Sequence, residues 1–286
     1  MTTGVAILLY GRAESSIAVI EALLRQGAPH AYVFMDGPRK PEIEAEQARM
    51  LEFLDTLPEG LVSLHRHREN LGLAAAMRFA VGHVLERHES VLVLEDDCVL
   101  RPGGLRYFTD GLAALHDNRR VRSLCGYLTP GCPFFYGYDD DAFLLQRFNT
   151  WGWATWRDRW ADYQPDLRQV LARFEALRMR VEDVTGDLAR LWQRDDYLRG
   201  HRNVWSIPWI LEHFLTGTYA VFPTVSVIEN IGFDGTGENC TTSDAFRLHE
   251  SRPFGRVRSW KRLPYYLENE EAIFKFMNQH GLETYS

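Results

Sequence analysis

Apolar positions in the first part of the chain fall into short continuous runs, separated by longer stretches where they recur at helical spacing. Residues 5–10, 31–35, 61–64 and 91–94 are short runs rich in β-branched or aromatic side chains and predict strands. Residues 14–26, 41–57 and 73–87 carry the helical period and predict helices. Gly27 ends the first of these, Asp36-Gly37-Pro38 marks a turn after the second strand, and Asn70-Leu71-Gly72 leads into the third helix. Alternating strands and helices predict an α/β fold: a mostly parallel, Rossmann-like sheet with right-handed crossovers and helices on both faces. Residues 91–94 are apolar at every position, as in a strand buried on both sides.

Beyond residue 120 the pattern is less regular and predicts a smaller, mixed lobe. Residues 122–126 and 142–145 read as strands, followed by the aromatic stretch Thr150-Trp151-Gly152-Trp153-Ala154-Thr155-Trp156. Residues 158–200 are charged and mainly helical in pattern. Strands are expected at 219–222 and 225–228, a glycine-rich loop at 230–240, and a terminal helix at 268–280. No linker is evident, so lobes 1–120 and 121–286 are expected to share one domain.

Composition narrows the class. The chain has 286 residues, 45% of them hydrophobic, and a formal charge of −7, which gives no reason to expect nucleic acid as a partner. The amino terminus has no signal-peptide pattern, and no apolar run has the length of a membrane span. Cys98, Cys125, Cys132 and Cys240 show neither CxxC pairing nor zinc spacing, so free thiols in a reducing, cytoplasmic setting are expected. Between residues 247 and 266, Arg247, Arg252, Arg256, Arg258, Lys261 and Arg262 are interleaved with Phe254, Trp260, Tyr265 and Tyr266. That mix suits peripheral contact with an anionic membrane, a cover that holds diphosphate over an active site, or a plain solvated face.

The chemistry concentrates at Glu95-Asp96-Asp97, directly after the run 91–94. Carboxylates at the carboxyl end of a central parallel strand stand where open α/β sheets bind ligands. Three adjacent acids repel one another unless a cation joins them, and hard oxygen ligands suit Mg²⁺ or Mn²⁺. The plainer alternative is an acidic solvated loop. Arg12, Asp36 and Asn70 also follow predicted strands, toward the same edge of the sheet.

These residues resemble the GT-A fold glycosyltransferases, in particular the N-acetylglucosaminyltransferase I-like group and its bacterial relatives. The likeness runs from about residue 5 to residue 241. It rests on 91–102 (VLVLEDDCVLRP, similar to the family's DxD motif), on Trp151-Gly152-Trp153, and on Asn230-Ile231-Gly232-Phe233-Asp234-Gly235. It implies a metal-dependent hexosyl- or N-acetylhexosaminyltransferase. Such an enzyme moves sugar from a nucleoside-diphosphate donor, most often a UDP-sugar, to a glycan, glycolipid or other hydroxyl acceptor.

Carried over by position, Asp97 is the direct Mn²⁺ (or Mg²⁺) ligand, Asp96 meets the transferred sugar and Glu95 the ribose. Arg12 lies near the nucleotide, Asp36 reads the uracil ring, and Asn70 bonds the base or backbone, or caps the following helix. Trp151 and Trp153 form a wall of the sugar site, or belong to the core. Two departures stand out. Ser206 occupies the place of an expected general base, which leaves Glu212 and His213 as catalytic candidates. Asn239 stands where relatives carry a histidine, as a metal or phosphate contact.

Alternatives from the same residues are a divalent-metal nucleotidyltransferase or phosphohydrolase, and a non-catalytic accessory protein that binds nucleotide-sugar or glycan. A Rossmann oxidoreductase or methyltransferase is disfavoured, because Tyr10-Gly11-Arg12-Ala13-Glu14 lacks GxGxxG.

Overall fold

The computed structural model describes residues 1–129, 142–180, 205–233, 235, 245–248, 254–265, 271 and 275. The four predicted strands of the first lobe form as β1 (Thr3–Leu9), β2 (Ala31–Met35), β3 (Val62–Arg66) and β4 (Ser90–Glu95). They are joined by α1 (Ala13–Arg25), α2 (Pro41–Asp55) and α3 (Leu73–Leu85). All four strands are parallel, in the order β3-β2-β1-β4. The chain therefore builds outward from β1 to β3, then returns past β1 to lay β4 on its other side.

Two cores explain the unbroken apolar runs. Val5, Ile7 and Leu9 of β1 pack with Val19, Ile20 and Leu23 of α1 and Met50 of α2. Ala6 and Leu8 face the opposite way, toward Met77, Ala80, Val81 and Val84 of α3. Successive strand residues point to opposite faces, so a strand covered on both sides must be apolar at odd and even positions alike.

The remaining elements are β5 (Cys98–Leu100), α4 (Gly104–Ala114), β6 (Val121–Cys125), β7 (Ala142–Leu145), β8 (Trp153–Trp156), α5 (Arg157–Trp160) and α6 (Leu167–Ala176). After them come α7 (Ser206–Thr216), β9 (Tyr219–Pro223), β10 (Ile228–Asn230) and a 3₁₀ turn at Trp260–Arg262. The main sheet continues from β4 through β8, β6, β9 and β7, giving eight strands, with β7 and β8 antiparallel to the rest. It crosses the boundary at residue 120 without a break, since β4 pairs directly with β8. β5 and β10 make a separate antiparallel ribbon.

Several elements differ from the sequence pattern. The tryptophan stretch contains a sheet strand, β8, and the strand expected at 225–228 forms slightly later as β10. α4 and β5 go beyond the elements that the pattern assigned. The helical stretch 158–200 is represented by α5 and α6, and its part from residue 181 lies outside the described residues. Of the predicted terminal helix only Glu271 and Lys275 are described, both helical.

The basic and aromatic segment lies along α4. Phe254 and Trp260 pack against Tyr107 at ring-centroid distances of 5.2 and 5.7 Å, and the Leu144 N–H donates to Pro264 O at 2.7 Å. Its apolar side chains join the core on the α1 side, while Arg256, Arg258, Lys261 and Arg262 face solvent. Phe254 and Trp260 are therefore packed into the fold along one side, while Tyr265 stays exposed with the charges.

Candidate active site

Parallel register fixes the floor of the site. Leu8 pairs with Glu95 and Leu9 with Met35, so Arg12, Asp36 and the three acids emerge at one edge of the sheet. That edge contains the point where strand order reverses, between β1 and β4. The elements that follow those two strands, α1 and β5, lie on one face of the sheet, where Leu23 and Cys98 belong to the same core. Arg12 follows one of those strands and Glu95-Asp96-Asp97 the other.

At this edge Arg12 holds two acids at once. Its guanidinium pairs with the Asp96 carboxylate and with Asp97 Oδ2 at 2.9 Å. The Tyr10 backbone N–H also bonds Asp96, and Cys98 Sγ donates to Asp97 Oδ1 at 3.3 Å. Burial works against the Arg12 charge, but Asp96 and Asp97 more than offset it and raise its pKa above the ordinary value.

The acids have too little positive charge around them. Burial, then repulsion from Asp97 and Asp96, pushes the Glu95 carboxyl up to about 8. Asp96 is raised too, mainly by burial, against the pull of Arg12. One guanidinium among three mostly buried carboxylates leaves a deficit that a divalent cation would fill, and the oxygens are of the right kind. Among the described residues, however, no three His, Cys, Asp or Glu side chains converge on a ready metal position. Asp96 and Asp97 are turned to Arg12 instead.

Ribbon β5–β10 brings the distant loop over this cluster. Asn230 pairs with Cys98, and the Ile231 N–H donates to Asp97 O at 2.9 Å. Gly232 lies against the acids so closely that a Cβ there would strike the Asp97 carboxylate and Arg12. Asp234 and Asn239, the latter a candidate metal contact, lie outside the described residues.

Asp36 has a different set of partners from those expected. Its Oδ1 accepts from Gly37 N (2.9 Å) and Leu71 N (2.8 Å), and its Oδ2 from Gly72 N (3.0 Å). It thereby ties the end of β2 to the residues that lead into α3, Leu71 and the N-cap Gly72. Asn70 does not cap α3, whose N-cap is Gly72. Its Nδ2 donates to Gly37 O at 2.8 Å, bracing the same turn.

Two residues of α2 escaped the sequence pattern. The Gln47 amide bridges Tyr10 O and Asp36 O at 2.9 and 2.7 Å, and Glu46 accepts the Ala13 N–H at 2.8 Å. Both are ordinary helix formers by type, so nothing local marks them.

The tryptophans part company. Trp151 stays half-buried among Tyr127, Phe233 and Phe246, the group that carries the 230–233 loop. Trp153 is fully buried on the other face of the sheet, stacked on Trp205 at 5.0 Å. The backbone bends at Gly152, whose φ is +61°. Trp153 is thus a core residue and not a wall of a sugar site.

Glu212 and His213 are also interior. Glu212 is 1% exposed and ion-paired to Arg173. His213 is fully buried: Nδ1–H donates to Trp209 O (2.8 Å), and Nε2 accepts from Ser123 Oγ (3.1 Å), which itself accepts from Trp209 Nε1 (3.1 Å). This tautomer is the one in which every donor meets an acceptor. Burial, reinforced by the nearby Arg122, pushes the imidazole down to about 3. Buried and fully engaged, neither residue is set out to take a proton from an acceptor hydroxyl. Ser206 opens α7 half-exposed.

No protein-family model matches the chain, and no curated protein matches it. Solved structures with a related backbone include the mannosyltransferase PcManGT from Pyrobaculum calidifontis in complex with GDP-Man and Mn²⁺ (15% identity, TM-score 0.41, 55% of this chain and 45% of that one). Staphylococcus aureus TarS 1–349 is similar at 13% identity and TM-score 0.40, over 57% of this chain and 49% of that one. A Thermus thermophilus protein described as mannose-1-phosphate geranyltransferase is similar at 14% identity and TM-score 0.42, over 78% of this chain and 74% of that one. The chain spans about half the length of the first two.

Proposed function

We propose that the chain is a GT-A fold glycosyltransferase that takes sugar from a nucleoside-diphosphate donor, a UDP-sugar, and passes it to a hydroxyl acceptor. One observation carries this reading: three adjacent carboxylates, short of positive charge, at the sheet edge where the strand order reverses. In that role Asp97 holds Mn²⁺ or Mg²⁺, Asp96 meets the sugar and Glu95 the ribose. A divalent ion there would neutralise the departing diphosphate. Arg12 would give up part of its hold on the acids as the ion and the diphosphate arrive, and would then be placed to bind phosphate oxygens. Asp36, Asn70 and Gln47 brace the nucleotide side of this edge through backbone groups, and Trp151 supports the loop beside it.

The burial of Glu212 and His213 favours a second reading, a nucleotide-sugar-binding protein without transfer activity. A thermal-shift panel of nucleotides with and without Mn²⁺ tests the common part. UDP with Mn²⁺ is expected to stabilise the protein most, by about 2.7 kcal/mol at a hundredfold excess over Kd. Preference for a purine nucleotide, or indifference to Mn²⁺, overturns the donor assignment. Donor hydrolysis or transfer that is lost in Asp97→Ala then separates the enzyme from the binding protein.

A further inference from the structure

The net charge of −7 makes any basic concavity on this chain conspicuous, and one lies on the outer side of α4. A hollow of about 470 Å³ forms where the 254–260 segment crosses the helix. Among the described residues, Arg106, Arg256 and Arg258 line it together with Asp110, which is ion-paired to Arg106 at 3.1 Å. Its floor is apolar: Tyr107, Phe254 and Trp260. The hollow shares no residue with the acid cluster.

The wall is well anchored. Trp260 occupies the space beside Gly111, where any Cβ would come within 2.8 Å of its ring, and Pro264 O accepts from Leu144 N. The segment thus holds its arginines over α4 through the packing of its aromatic residues. Arg256 and Arg258 are exposed, as are Arg106 and Asp110, whose pair is weak and easily rearranged in water. Guanidinium forks match phosphate oxygens in pairs, and aromatic faces suit the carbon frame that bears the phosphate. In an otherwise acidic molecule, a concave positive patch concentrates anions locally.

We propose that this hollow is a binding site for a phosphate ester, with the phosphate on Arg256 and Arg258 and its carbon frame on Trp260 and Phe254. The ester is either a soluble metabolite or the headgroup of an anionic lipid. The site stands independently of the transferase reading, and its test uses the full chain without nucleotide or metal.

Glycerol 3-phosphate is titrated while the Trp260 indole N–H is followed by NMR. Phosphatidylglycerol and phosphatidylcholine vesicles are compared by flotation. The Arg256→Ser/Arg258→Ser variant is expected to weaken binding about tenfold or more. Lys261→Ser/Arg262→Ser, which removes equal charge from neighbouring exposed positions, should change it less than about twofold, and Arg106→Gln should fall between. Glycerol 3-phosphate binding alone assigns a soluble ester. Vesicle binding that needs phosphatidylglycerol and is lost only in the first variant assigns a lipid. No binding of either probe, or equal loss in both double variants, overturns the site.

Discussion

His213 shows how far burial alone can remove a residue from the chemistry its type suggests. A histidine titrates ordinarily at 6.5, whereas this one is pushed to about 3 by burial and by the charge of Arg122. The sign of the consequence is fixed: a folded-state pKa below the unfolded one gives stability above the unfolded value that is lost as pH falls. The window runs from about pH 6.5 down to about pH 3, with a loss near 1.4 kcal/mol per pH unit once well inside it. Urea unfolding at stepped pH should show this slope in the native protein. In His213→Gln, less stable at pH 7.5 through the lost stack on Phe148 (5.6 Å), the slope should be shallower by that amount. Equal slopes would mean that the imidazole is not held neutral. Neighbouring charges on α7 and β6, Glu212 and Arg122, stay the same in both proteins.

At the scale of elements, Asp36 joins two of them. Its carboxylate takes three backbone N–H groups from the turn after β2 and the start of α3, so removing it strands buried donors. Asp36→Ala is expected to cost about 2–3 kcal/mol of stability and to speed amide exchange at Gly37, Leu71 and Gly72. A residue that only read a nucleobase would move neither number in nucleotide-free protein. A stability within about 0.5 kcal/mol of the native protein would remove the structural role. The acid itself was legible in the sequence as a strand-end carboxylate. Its partners at 71 and 72 were not, because they depend on where α3 returns.

At the scale of the molecule, the two lobes share one eight-stranded sheet. β4, the strand that delivers the acids, is flanked by β1 from the first lobe and by β8 from the second. Cutting the chain at residue 120 would leave β4 with a bare edge and would uncover Val91 and Val93, which pack with Trp153 and other residues of the second lobe. A fragment of residues 1–120 is therefore expected to lack cooperative urea unfolding and to bind an exposed-surface dye, while the full chain unfolds in one transition. A stable, cooperatively unfolding fragment would make the first lobe an independent domain.

Taken alone, the sequence determined the first lobe and the position of its acids. Strands buried on both faces demand unbroken apolar runs, amphipathic helices demand the 3.6 period, and both are local signals that survive without knowledge of neighbours. Glu95-Asp96-Asp97 at the end of β4 followed from that pattern. Tertiary structure decided what each side chain meets. It gave Arg12 to Asp96 and Asp97, brought Gly232 beside them from across the chain, and placed Gln47 between two loops. It also turned Trp151 and Trp153 to opposite faces at Gly152 and buried Glu212 and His213. Residue type records a side chain's capacity for chemistry. Whether that capacity faces a ligand or is spent on the core depends on contacts between segments far apart in the chain, and no local period encodes those.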